Sequence, residues 1–106
     1  MASSINIRQK SFENNFVLQE EIDFKAKVMA SKLLGLWATR EMHLNQAKTQ
    51  EYVKHLIELS INSNSQEQII EHIHKSLEQK GLNYTKHRVE SIFSEHLNEC
   101  RAQLIK

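Results

Sequence analysis

The chain has 106 residues, 40% hydrophobic and 25% charged, and its 14 basic and 13 acidic side chains leave a net charge of +1. That length suits one compact domain, and the balanced charge makes no demand for nucleic acid or an anionic membrane as partner. With no proline and 2 glycines the chain lacks the turn formers of a sandwich or barrel, and an all-α fold is expected.

Residues 1–19 are rich in Ser, Asn and Gln and hold few aliphatic side chains. Two phenylalanines, Phe12 and Phe16, interrupt this polarity. Burying a phenylalanine supplies roughly 1.5–3 kcal/mol, whereas fixing one backbone residue costs roughly 1–2 kcal/mol. Two rings cannot order such a segment alone, so a flexible N-terminal arm is predicted. The first firm helix is expected to begin near Leu18 to Glu21. Glu20, Glu21 and Asp23 suit the positive end of its dipole. Ile22, Ala26, Met29, Leu33 and Leu36 recur at steps of four and three and predict its inner stripe. Leu34 and Trp37 widen the apolar surface. Gly35 lies inside this pattern, where it costs roughly 1 kcal/mol relative to alanine, and the close approach of another backbone would explain it.

His43 to Gln46 reads as a short connection, with Asn45 a cap. The second helix carries Tyr52, Val53, Leu56, Ile57 and Ser60 on its inner face. Asn62 to Ser65 is a polar break, and Ser65 with Gln68 fits a capping box. Ile69, Ile70, Ile73 and Leu77 line the third helix. Gly81 then fits a left-handed cap, with Leu82 packing back on Leu77. Thr85 caps the fourth helix, flanked by the staple pair Tyr84 and Val89. Val89, Ile92, Phe93, Leu97, Cys100 and Leu104 form its apolar face. The expected architecture is a four-helix bundle-like single domain over residues 20–106, preceded by the arm of residues 1–19.

Chemistry is sparse. The single cysteine, Cys100, allows no internal disulfide and fits a reducing compartment. His96 and Cys100 share a helical face, but zinc needs further ligands, so no metal or other cofactor is expected. No nucleophile or glycine-rich phosphate loop stands out, and no enzyme activity is expected. Lys75, Lys80, Lys86 and Arg88 surround the third turn and leave open a small DNA-associated helical regulator. Glu78, Glu90 and Glu95 interleave with them and weigh against nucleic acid. Trp37 with Leu33, Leu34 and Leu36 reads as core before it reads as a groove. No apolar run nears the ~20 residues that span a bilayer, and MASSINIRQK lacks a signal-peptide core. A cytoplasmic protein without direct membrane insertion is expected.

The arm remains as the candidate site. Phe12 and Phe16 are four apart, so an induced helix would bring both rings to one face. Arg8 and Lys10 precede them and Glu13 lies between.

FENNFVLQEEIDFKAK followed by SKLLGLWA resembles the signature of the ζ inhibitor subunits of alphaproteobacterial F-type ATP synthases. The match rests on Phe12–Glu13, Phe16, Glu20–Glu21, Phe24 to Ala26 and Lys32 to Ala38. Asn15, Val17 and Met29–Ala30 depart from the family's usual lysine, alanine and arginine pair. The resemblance implies a four-helix fold and an inhibitory segment that becomes helical as it enters a catalytic α/β interface near the γ stalk. It implies the α, β and γ subunits of the catalytic head as partners. It also implies a peripheral place at the inner membrane through the ATP synthase, and a monomer when free. Phe12 and Phe16 would be apolar anchors and Glu13 a polar contact, with Arg8 and Lys10 in the same segment. By analogy with the mitochondrial inhibitor, the segment would stop rotation in the hydrolytic direction only.

Overall fold

A computed structural model describes residues 3–62 and 65–105, with side chains from Leu18 onward. Its elements are helices α1 (Ser3–Glu41), α2 (Gln46–Asn62), α3 (Gln66–Gln79) and α4 (Lys86–Ile105), with no strand among the described residues. The all-α, four-helix reading of the sequence holds. α1 packs against all three other helices, most extensively α4 and α2.

The expected start of the first helix, near Leu18, is corrected: helical backbone runs unbroken from Ser3. No proline or glycine precedes Gly35. A helix nucleated by its packed half extends with one new hydrogen bond for each residue fixed. Leu18, Gln19, Glu20 and Glu21 are exposed, and α1 enters the core at Ala26. The flexibility expected of the arm concerns residues whose side chains, up to Val17, lie outside the described ones.

The predicted inner stripe of α1 is corrected too. Ala26, Ala30, Leu34, Ala38 and Met42, each four residues after the last, line the core. Of the five predicted positions only Ala26 is fully buried; Ile22, Leu33 and Leu36 are half-buried and Met29 is 36% exposed. The reason is volume. α1 is the central helix, and small side chains let neighbouring helices approach it closely. A Cβ on Gly35 would stand 2.9 Å from Leu56 Cδ2 and 3.8 Å from Val53 Cα, so the approach expected at Gly35 is that of α2. Ser31 and Thr39, buried on the same helix, donate to the carbonyls of Lys27 and Leu36 at 2.7 and 2.9 Å, so both buried hydroxyls are satisfied.

The other helices follow their sequence signals, except that Ile57, expected on the inner face of α2, is half-buried and lies outside the core. Val53, Leu56 and Ser60 of α2 are buried, as are Ile69, Ile70, Ile73 and Leu77 of α3 and Val89, Ile92, Phe93, Leu97 and Cys100 of α4. Asn45 Oδ1 accepts from the Lys48 N–H at 2.8 Å, Ser65 Oγ from Glu67 at 3.2 Å and Thr85 Oγ1 from Arg88 at 3.0 Å, one cap for each of these helices. At the end of α3, the Leu82 N–H donates to Leu77 and the Gly81 N–H to Glu78, with Gly81 at φ 78°, which completes the Schellman ending. α1 ends by the same motif. Leu44 donates to Thr39 and His43 to Arg40, and His43 takes the left-handed position at φ 56°.

Candidate partner-binding surface

Arg8, Lys10, Phe12, Glu13 and Phe16 all lie on the helical backbone of α1, N-terminal to its packed half, and their side chains are outside the described residues. Helical pitch fixes their register. Phe12 and Phe16 stand eighteen residues before Ala30 and Leu34, about five turns. Where α1 leaves the bundle, Asp23 pairs with Arg101 of α4 at 3.1 Å, and Lys27 lies 5.7 Å from the Phe24 ring centroid. Both pairs are partly exposed, and such pairs contribute little singly. Only the Asp23–Arg101 pair joins α1 to another helix at this point.

The opposite side of α1 is a ridge that sequence reasoning assigned to the core. Leu18, Lys25, Met29, Lys32 and Arg40 are exposed along it and Ile22 and Leu36 are half-buried. A groove of about 350 Å³ runs on each side of Leu36. Towards α2 its floor is Leu36, Val53 and Ile57, with Lys32, Lys54 and Glu58 at the rim. Towards α4 it is bounded by Leu33, Thr39, Arg40 and His96. His96 Nδ1 is buried there without a hydrogen-bond partner among the described residues. Trp37 turns the other way and meets the Tyr84 ring edge to face at 5.1 Å. The Trp37 and Leu33–Leu34–Leu36 cluster is thus divided: Leu34 is core, Leu33 and Trp37 pack on it, and Leu36 faces outward.

Titratable groups elsewhere have structural roles. A hydrogen bond with Glu41, then burial, raises the Tyr84 phenol above its ordinary range and links the end of α1 to the α3–α4 turn. Lys86 bridges Glu67 and Glu71 of α3, and the bond with Glu67 chiefly raises its ammonium pKa. Lys86, one of the basic residues of a phosphate-contact reading of this turn, is thus engaged within the fold. Between α2 and α3 the Tyr52 hydroxyl bonds Ser76 Oγ at 2.8 Å, and the His72 ring lies against Tyr52 and His55 with centroids 5.4 and 5.1 Å away. Burial, then the His55 charge, lowers the His72 pKa. The Cys100 thiol is buried, and this burial and Glu99 raise its pKa, away from a reactive thiolate. Among the described residues no three His, Cys, Asp or Glu side chains converge as a metal site. Nor is any helix among them long and apolar enough to cross a membrane.

With the geometry in view, the comparison that decides the family is the match of residues 1–103 to the ATPase inhibitor subunit zeta family. The chain belongs to this family. No curated protein and no solved structure matches it significantly. A zeta-family chain is, by the family's description, an ATPase inhibitor subunit. Its match takes in the helical extension and the bundle together, so the arm is family sequence and not an appended tail. What sequence reasoning missed in this zeta-family chain is the outward ridge with Lys32, Leu36, Arg40, Lys54 and His96. The alanines at steps of four, with Gly35 between them, were the available signal that the small face packs.

Proposed function

We propose that this chain inhibits ATP hydrolysis by an F-type ATP synthase without catalysis of its own. Residues 1–19 form the inhibitory arm and residues 20–106 the four-helix anchor. The arm, helical when bound, inserts at a catalytic α/β interface near the γ stalk. Phe12 and Phe16 are its apolar anchors, Glu13 a polar contact, and Arg8 and Lys10 add charge to the segment. The chain is a cytoplasmic monomer when free and reaches the inner membrane only through the enzyme.

The observation that carries this reading is the family match across arm and bundle. The backbone adds a physical reason. Starting an isolated helix is unfavourable, with a nucleation constant of about 10⁻³, and here the packed half of α1 has already supplied the nucleus. The arm extends an existing helix, so the enzyme's contacts need offset less ordering. The bundle holds the segment near its site and raises its effective concentration.

The test adds the purified chain to ATP synthase depleted of its own inhibitor. ATP hydrolysis should fall, and ATP synthesis should fall less. Phe12→Ala and Phe16→Ala should each weaken inhibition without changing thermal unfolding. A large loss of stability in Phe16→Ala would place that ring in the core. No inhibition by the unmodified chain would remove the proposal.

A further inference from the structure

The ridge on α1 has the makings of a second contact. Its position is the first argument. Lys25, Met29, Lys32, Leu36 and Arg40 follow at steps of three and four, so they form one face. That face is turned away from the buried stripe of Ala26, Ala30, Leu34 and Ala38, and its residues are left exposed or half-buried by the other helices. Its chemistry is the second argument. Leu36, Val53 and Ile57 give an apolar floor on the α2 side, with Lys32 and Lys54 beside the acid Glu58, and Arg40 borders the groove on the α4 side. Two other cations, Lys86 and Arg101, have carboxylate partners within the chain. Lys32, Arg40 and Lys54 have none among the described residues. His96 lines the groove on the α4 side of this face, and its buried Nδ1 has no hydrogen-bond partner among the described residues.

We propose that this ridge and its two grooves dock an acidic amphipathic helix of the inhibited enzyme. Apolar side chains of that helix enter beside Leu36, and its carboxylates meet Lys32, Arg40 and Lys54. This is helix-in-groove recognition with a basic rim that sets approach and orientation. It rests on the inhibitory reading and adds to it, because two linked contacts hold the chain more tightly than the arm alone.

The experiment uses the full chain and the purified catalytic head of ATP synthase, depleted of inhibitor. It compares the unmodified chain, the arm variant Phe12→Ala/Phe16→Ala and the ridge variant Lys32→Glu/Arg40→Glu/Lys54→Glu. The ridge substitutions are at exposed positions, so an unchanged melting temperature is the control for folding. The expected result is a half-inhibitory concentration raised roughly tenfold or more in the ridge variant, with a weaker dependence on salt than the unmodified chain shows. The arm variant should still bind the head while inhibiting poorly. A ridge variant that binds and inhibits as the unmodified chain does overturns the ridge and leaves the arm intact. Binding without inhibition by the unmodified chain, abolished by ridge reversal, upholds the ridge and overturns the inhibitory reading. Absence of binding by any chain overturns both.

Discussion

The two faces of α1 carry opposite kinds of side chain. The face turned inward is built from Ala26, Ala30, Ser31, Gly35, Ala38 and Thr39, with Leu34 the one large residue in their midst. The face turned outward carries Met29 and Leu36 among lysines and an arginine. Hydrophobicity alone would reverse them. At the centre of a small bundle, what is buried is decided by how closely three neighbours can approach, and small residues win that contest. Bulky apolar side chains left on the surface then need another explanation, and a partner supplies one.

The largest effect should come from the one large residue of the inner face. Leu34→Ala is expected to lose about 2–5 kcal/mol in urea unfolding. Leu36→Ala, one turn-fraction away in sequence and half-exposed, should lose less than about 1 kcal/mol. Equal losses would erase the distinction between the two faces.

Next comes Gly35. A leucine there must displace Leu56, whose Cδ2 is 2.9 Å from where a Cβ would stand, and such overpacking costs about 1–3 kcal/mol. Gly35→Ala should lose less, since roughly 1 kcal/mol of helix propensity offsets the contact. A Gly35→Leu variant as stable as the original would show that α2 does not depend on this approach.

A smaller effect of the opposite sign is expected where α1 stops. His43 and Gly81 hold the same place in two Schellman endings. Only Gly81 is free of the Cβ penalty in the left-handed region. His43→Gly should therefore stabilise the chain, by about 0.5–1 kcal/mol, read as a raised melting temperature. A neutral or destabilising result would mean that the exposed imidazole contributes more than its backbone strain.

The fold was legible where local chemistry and burial agree. Asn45, Thr85, Gly81 and the isoleucines of α3 each have a role that neighbours in sequence reveal. Two things were not local. The start of α1 depends on nucleation by residues such as Leu34, far from Ser3. Which face of α1 is buried depends on α2, α3 and α4 arriving together. The arm's candidate residues could be named because Phe12 and Phe16 stand out from a polar background. The ridge could not, because its identity as surface exists only after the bundle closes.

The last and smallest expected effect separates the seams of α1 from that between α2 and α3. The buried polar groups of α1, Ser31 and Thr39, do not titrate near neutrality. His72 does, and burial with the neighbouring His55 lowers its pKa in the fold below the ordinary 6.5. As pH falls through 6.5 the unfolded imidazole takes up its proton before the folded one. The unfolded state then binds more protons, so His72's contribution is complete above 6.5 and is lost as pH drops towards the folded value. Melting temperature followed from pH 7.5 to pH 5 should decline less in His72→Gln than in the unmodified chain. Leu34→Ala should lower the whole curve without altering its slope. If Leu34→Ala flattened the curve instead, the titrating group would lie on α1, and the distinction between its apolar packing and the polar α2–α3 seam would fail.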